Sequence, residues 1–191
     1  MDVRYINLKD IKSVSRLYKI AFDRSYLSVH YSIGLLIKYF ELLINHNKYC
    51  YVAETGDQIV GFLIGGFKTQ EAVKEFLDKN RKTVYLYVLF NPKFLFIRLN
   101  KILRSFFNKN PVSKEKLRLF IIAIHPHFTN KGIGKQLILR FENDIKIDGF
   151  NSYGLFVRVK NVNAIEFYNK RGFTCEFKNH NQYSYIKYIQ N

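Results

Sequence analysis

Apolar positions recur along this chain with two different periods, and the changes of period mark the elements. Val3–Asn7 reads as a first strand. Asp10 then caps a helix to about Phe22, in which Ile11, Val14, Leu17, Ile20 and Ala21 return at helical spacing. A second helix runs from Ser32 to about Asn45 and carries Ile33, Leu35, Leu36, Tyr39, Phe40 and Leu43. Tyr49–Glu54 and Gln58–Phe67 flank Gly56-Asp57, which predicts a β-hairpin. Gly61, Gly65 and Gly66 in its second strand mark bends or close approach.

After the hairpin the pattern loosens. Glu71–Asn80 reads as a short helix, and Thr83–Phe90 is aromatic and apolar. Pro92 starts a further helix through Phe107, with Leu95, Leu99, Ile102, Leu103 and Phe106 on one stripe opposite Arg98, Lys101, Ser105 and Asn108. Asn108–Lys116 is a polar linker. Leu117–Ile124 is a nearly continuous apolar run, as in a strand covered on both faces. A Gly-containing turn, a helix over about Ile133–Ile147, a strand (Gly154–Val159), a helix (Ala164–Lys170) and two last strands (Phe173–Lys178, Tyr183–Ile189) follow. The strand-turn-helix-strand order implies two parallel strands joined by a right-handed crossover. With the early hairpin this makes a mixed sheet in an α/β domain. The chain contains no internal repeat and no low-complexity tract.

Composition narrows the class. The 191 residues, 48% of them hydrophobic, suffice for one domain with a sizeable core, which excludes intrinsic disorder. Two cysteines exclude a disulfide scaffold, and they show no metal or redox spacing; a buried strand thiol is the reading for Cys50 and Cys175. The five histidines form no cluster in the sequence. The longest run without Lys, Arg, Asp or Glu is Ser25–Ile37, 13 residues, short of the ~18 a membrane-spanning helix needs. Met1-Asp2-Val3-Arg4 lacks the basic-then-apolar pattern of a signal peptide, so a cytoplasmic location is expected.

Charge adds a second feature. The formal net charge is +16, and +10 of it lies between Lys79 and Arg118, where 11 basic residues face the single acid Glu115. Such a block predicts an anionic partner, whether phosphorylated cofactor, acidic substrate, membrane surface or nucleic acid, or else a solubilising surface.

The candidate chemistry begins at Ile121-Ile-Ala-Ile-His-Pro-His-Phe-Thr-Asn-Lys-Gly-Ile-Gly-Lys-Gln-Leu137. An apolar strand feeds a loop whose Gly132 and Gly134 lie at the start of a helix, where backbone N–H groups and the helix dipole favour an anion. Lys131 and Lys135 add charge. The loop is neither a Walker A motif, since Gln136 follows Lys135, nor a dinucleotide fingerprint, since Leu137 stands where a third small residue belongs. About 25 residues on comes Asn161-Val-Asn-Ala164-Ile-Glu-Phe167-Tyr168-Asn-Lys-Arg-Gly172-Phe173.

Together the two segments resemble the GCN5-related N-acetyltransferase family. Its acyl-CoA loop reads (Arg/Gln)-x-x-Gly-x-(Gly/Ala) after an apolar strand, and its second signature is Asn-x-x-Ala-x-x-(Phe/Leu)-Tyr-x-x-x-Gly-Phe. Asn161, Ala164, Phe167, Tyr168, Gly172 and Phe173 match that second signature position for position. Thr129 departs from the loop pattern, standing where the family usually has Arg or Gln. The resemblance is close over Leu117–Phe173 and rests on element order over Val3–Phe67. It implies one acetyltransferase domain over residues 1–191, a mixed central sheet flanked by helices, with a basic and aromatic helical insertion over 68–116 between the third and fourth strands.

The resemblance also implies a mechanism. Leu117–Ile124 and Gly154–Val159 would splay apart and admit the pantetheine arm of acetyl-CoA. Backbone groups at Ile122 and Ile124 would pair with that arm, and one N–H would hold the developing oxyanion. The pyrophosphate would sit on Thr129, Asn130, Lys131, Gly132, Ile133, Gly134 and Lys135, with Asn161 on the pantetheine or the strand edge and Asn163 as the helix cap. An acceptor amine would attack, and Tyr168 would protonate the departing thiolate. No acid lies in Leu117–Ile124, so Glu54, His30, His125 and His127 are the candidate bases, and Tyr26, His30 and Tyr31 would border the acceptor. The expected acceptor is a small-molecule primary amine, anionic to suit the charge, such as an amino-sugar derivative. Protein or peptide N-acetylation is the alternative, followed by a non-catalytic acyl-CoA-binding or nucleic-acid-binding module. The Pro92–Phe107 helix leaves open contact with an anionic membrane or lipid-linked substrate, packing on its own sheet, or a homodimer. No nucleic-acid motif and no metal site is expected.

Overall fold

The computed structural model describes residues 1–94, 96, 113, 115–179 and 181–189. Their strands are β1 (Asp2–Tyr5), β2 (Tyr49–Thr55), β3 (Gln58–Gly66), β4 (Arg118–Ile124), β5 (Ser152–Arg158), β6 (Thr174–Lys178) and β7 (Gln182–Tyr188). The helices are α1 (Ile11–Ala21), α2 (Ile33–His46), α3 (Thr69–Lys79), α4 (Arg81–Leu89), α5 (Ile133–Ile147) and α6 (Val162–Asn169). One sheet takes the order β1-β2-β3-β4-β5-β7-β6. Every neighbouring pair is antiparallel except β4 and β5.

The alternation in β2 shows why the sheet needs helices on both faces. Cys50 and Val52 join one core with α1 and α2, while Tyr49, Tyr51 and Ala53 join a second core under α5. On the first face α1 contributes Ile11, Val14, Leu17 and Tyr18, and α2 contributes Leu35, Leu36, Phe40 and Leu43. Full burial of each such side chain stabilises the fold by roughly 1.5–3 kcal/mol. Ser32 starts α2 by accepting the Leu35 N–H at 3.2 Å, as its place before an apolar run predicts. On the second face Ile133, Leu137, Ile138, Phe141 and Ile145 form the buried stripe of α5. Small residues in β3 let that helix come close. A Cβ on Gly65 would stand 2.8 Å from the Phe141 ring, and one on Gly61 would stand 2.9 Å from Ile124 Cδ1.

The fourth strand departs from the sequence reading. Ile64 faces Ile121 while Gly65 faces Leu119, so Phe120 is an extra residue, a β-bulge. The bulge turns Leu119 to the α5 face while Ile121 and Ala123 face α1 and α2, and it leaves Phe120 exposed. The strand is therefore covered on both faces only toward its C-terminal end.

Between β3 and β4 the chain forms α3 and α4. The first turns Ala72 and Phe76 into the core beside α2, and the apolar stretch from Thr83 proves helical as far as Leu89. Tyr87 of α4 accepts the Ser32 N–H through its hydroxyl at 2.9 Å, which fastens this part of the β3–β4 connection to the start of α2. Of the helix expected over Pro92–Phe107, Pro92, Lys93 and Phe94 are helical, and most of the rest lies outside the described residues, as does most of the Asn108–Lys116 linker. Among the described residues no helix is long and apolar enough to cross a membrane.

Candidate functional site

The opening in the sheet follows from its one parallel pair. Strands β4 and β5 meet at Arg118 and Gly154, where the Gly154 N–H donates to the Leu117 carbonyl at 2.9 Å, and no further residue pairing joins them. Beyond it, β4 continues to pair only with β3. The His125 N–H donates to the Val60 carbonyl at 2.8 Å, so the strand's alternation turns the backbone groups of Ala123 toward β3 and those of Ile122 and Ile124 toward β5. These last groups thus face a gap rather than a neighbouring strand.

The loop at the end of this gap is built for close N–H convergence. Pro126–Phe128 form one 3-10 turn, and the Thr129 hydroxyl donates back to the Pro126 carbonyl at 2.9 Å. Asn130 has φ 61° and Gly132 φ 80°, so left-handed residues alternate with Thr129 and Lys131. Such alternation turns successive N–H groups to one side, and here they meet the N-terminus of α5. A Cβ on Gly132 would touch nothing within 4 Å, so its glycine serves the positive φ and leaves the loop open above it. Gly134 has a different reason. Its Cβ would lie 2.9 Å from Cζ of Phe167, so this glycine serves the packing of α5 on α6 rather than the approach of an anion. Ile133 is buried in the core beneath, Lys135 is exposed, and Lys131 Nζ lies 4.8 Å from the centre of the Phe128 ring.

On the other rim, Asn161 rather than Asn163 caps α6. Its side-chain oxygen accepts the Ala164 N–H at 3.2 Å, while Asn163 sits inside the helix that begins at Val162. The helix starts two residues earlier than its apolar pattern suggests because the Asx cap precedes Val162. The cap occupies the oxygen of Asn161, not its N–H2 donors.

Tyr168 lies on the buried side of α6, 6% exposed, its ring packed 5.4 Å from Phe167 and 5.2 Å from Phe173. Burial, reinforced by the phenol of Tyr26, pushes its hydroxyl well above the ordinary phenol range. The group is protonated throughout the neutral range, as a proton donor requires.

Tyr26 enters here from the loop between α1 and α2. Arg158, at the end of β5, stacks its guanidinium 3.4 Å from the centre of the Tyr26 ring and donates to the Ser25 hydroxyl and, at 3.5 Å, to the Ser25 carbonyl. The structure thus joins Tyr26 to Arg158, which the sequence separates widely. Tyr31 is buried against Phe76 and Tyr87, while His30 turns its Nε2 to the Arg24 carbonyl at 2.9 Å and its ring to Phe94.

The candidate bases fare unequally. Glu54 lies on β2, two strands from β4, and accepts from Arg4 Nε at 2.9 Å, so it is removed from the gap and already paired. His125 and His127 stack on each other beside Phe128, with the His127 N–H donating to Nδ1 of His125. Cys50 is buried, and burial pushes its thiol up to about 12, but Cys175 on the edge strand β6 is exposed, contrary to the expectation of two buried thiols. Among the described residues no group of three or more His, Cys, Asp or Glu is placed to hold a metal ion. Sequence reasoning missed Arg158; its only signal was a cation ending an apolar strand.

Residues 11–173 match the sequence profile of the Acetyltransferase (GNAT) family. The chain belongs to the GNAT acetyltransferase family. Solved structures carry the same fold. A PaiA N-acetyltransferase from Thermoplasma acidophilum in complex with coenzyme A has TM-score 0.63 at 17% identity, covering 98% of each chain. Naa20 from Chaetomium thermophilum in complex with a bisubstrate analogue has TM-score 0.58 at 16% identity, covering 99% of this chain and 87% of the other. An acetyltransferase from Thermus thermophilus has TM-score 0.62 at 15% identity, covering 98% of this chain and 96% of the other. No curated protein gives a significant match. GNAT acetyltransferases use acetyl-CoA as acyl donor, and the parted strands, the convergent loop amides and the α5 N-terminus of this GNAT chain fit an extended arm ending in a pyrophosphate.

Proposed function

We propose that this GNAT acetyltransferase moves an acetyl group to the primary amine of a small acceptor, with donor and acceptor bound together. The observation that carries the reading is the parting of β4 from β5 beyond Arg118 and Gly154, with the backbone groups of Ile122 and Ile124 facing the gap. Acetyl-CoA supplies the activated acyl group as a thioester. The backbones of Ile122 and Ile124 line the arm, Asn161 offers its N–H2 from the opposite rim, and the stretch from Thr129 to Lys135 holds the pyrophosphate. The Thr129 hydroxyl is engaged by Pro126, so backbone amides and Lys131 and Lys135 provide the anion contacts in place of a long polar side chain.

Two groups of the chain then act on the reaction. A β4 N–H facing the gap donates to the oxygen on which negative charge develops. The Tyr168 hydroxyl, kept protonated by burial, gives its proton to the departing sulfur. The acceptor is an anionic small molecule such as an amino-sugar derivative, a reading supported by the +16 charge. Peptide N-acetylation is the competing reading.

Thermal unfolding with and without acetyl-CoA tests the donor. At a concentration 100 times Kd, stabilisation of about 2.7 kcal/mol is expected, a rise in Tm of roughly 5–10 °C for a chain of this size. No shift at millimolar acetyl-CoA would overturn the donor assignment. Release of free CoA across amines, amino sugars and peptides tests the acceptor, and turnover confined to peptides would replace the small-molecule reading.

A further inference from the structure

A pocket of about 190 Å³ opens beside Arg158, and most of its wall comes from outside the two motifs. Tyr26 comes from the loop after α1, Tyr39 from α2, Phe76 and Leu77 from α3, and Arg158 from β5. The volume is below the roughly 300 Å³ at which sites for drug-sized ligands begin. It suits a compact molecule rather than a polypeptide segment with its side chains.

The lining has one full charge. Arg158 is half-buried and directs its donors to neutral partners, the hydroxyl and carbonyl of Ser25, with its face on the Tyr26 ring. Among the described residues no carboxylate lies within ion-pair distance of it. Asp23 takes its hydrogen bonds from Ser25, which, ahead of the charges of Arg158 and Lys93, hold its carboxyl below the usual range. The phenols around the pocket do not neutralise Arg158. Burial pushes Tyr31 up to about 12 and raises Tyr26 and Tyr39 as well, so all three remain uncharged. A guanidinium whose only polar partners are neutral, set among aromatic walls, attracts an anionic oxygen group and repels an additional cation.

Resting on the acetyltransferase reading above, we propose that this pocket selects the acceptor, a small primary amine with an apolar or ring body and one anionic oxygen group, carboxylate or phosphate, held by Arg158. Arg158 ends β5, the strand that bounds the gap opposite β4, so an anion held there keeps the amine beside the opening that takes the acyl donor. Helix α3 supplies part of the pocket wall. Phe76 and Leu77 belong to the insertion after β3, so a segment outside the two motifs forms one wall of the acceptor site.

The test compares matched pairs of acceptors that differ only in the anion. Phenylalanine is set against its amide, and a hexosamine phosphate against the free hexosamine, with CoA release as the readout. The wild type should favour the anionic member of at least one pair by about 10-fold or more in kcat/KM, the range of a hydrogen-bonded charge pair. Which pair shows the preference distinguishes carboxylate from phosphate. Arg158→Gln should remove the preference by lowering the anionic partner alone, and Leu77→Trp, at an exposed position on the pocket wall, should lower both. Calorimetry of the N-acetylated products without CoA gives a second readout, in which Arg158→Gln weakens the anionic product and not the neutral one. Equal use of both members in every pair, or an equal loss of both in Arg158→Gln, overturns the proposal. The acetyl-CoA shift in Tm must persist in both variants, and its absence from the wild type would instead overturn the acetyltransferase reading.

Discussion

At the scale of single residues, Tyr168 carries the sharpest assignment. Its ring is packed between Phe167 and Phe173, so a phenylalanine there keeps the packing and removes only the hydroxyl. Tyr168→Phe should lower kcat by about 10²–10⁴-fold, the range of a lost general acid, while the Tm and its rise with acetyl-CoA stay close to wild type. Unchanged kcat would leave Tyr168 as a core aromatic. Its place in the motif was legible in the sequence because the signature is local. The two glycines of the loop were legible only as a pair. That Gly132 serves a left-handed backbone and Gly134 makes room for Phe167 depends on where α6 packs, which no spacing within the loop records. The cap at Asn161 was missed for a related reason. Asn161 and Asn163 are both suitable capping residues, and the choice rests on a hydrogen bond to the Ala164 N–H.

At the scale of elements, α5 is held to the sheet by polar as well as apolar contacts. Asp144 accepts from Tyr5 at 2.6 Å, Tyr51 at 2.8 Å and Arg140 at 3.1 Å, linking the helix to β1 and β2. Burial alone would raise its carboxyl, but the donors of Tyr5, Tyr51 and Arg140 outweigh it and hold the group below the usual carboxylate range. A carboxyl lowered in the folded state contributes stability above the unfolded value near pH ~3.9, and that contribution is lost as pH falls through the lower folded value. Asp144→Asn should therefore reduce Tm by roughly 3–8 °C at neutral pH and flatten its fall between about pH 4 and pH 2. Thermal unfolding followed by circular dichroism across that range checks both. An unaltered acid limb would assign the pH dependence elsewhere, with Asp10, also held low against burial by Arg4, the first alternative. The order of elements followed from periodicity, but the bulge at Phe120 did not, because it depends on the register against β3.

At the scale of the whole molecule, the +16 charge opposes folding and favours anionic ligands at the same time. The screening length falls from about 30 Å at 0.01 M salt to about 10 Å at 0.1 M. Over that range the Tm of the free protein should rise as self-repulsion is screened, while the additional shift caused by acetyl-CoA should shrink. A differential scanning series in sodium chloride separates the two. If both moved in the same direction, the charge would not contribute to holding the donor. The basic block from Lys79 to Arg118 also divides here. Its first part forms the end of α3 and α4 near the pocket at Arg158, while the residues from Arg98 to Lys109 lie outside the described set.

The sequence by itself determined the order of helices and strands, the loop after β4 and the Asn161–Phe173 signature, because each depends on neighbours within about a dozen positions. Only the tertiary structure decided that β4 and β5 part after one pairing and that Glu54 is committed to Arg4. It also decided that Tyr26, Tyr39, Phe76 and Arg158 enclose one pocket. Those contacts join residues far apart in the chain, and their geometry is set by strand register and helix packing, which local patterns do not encode.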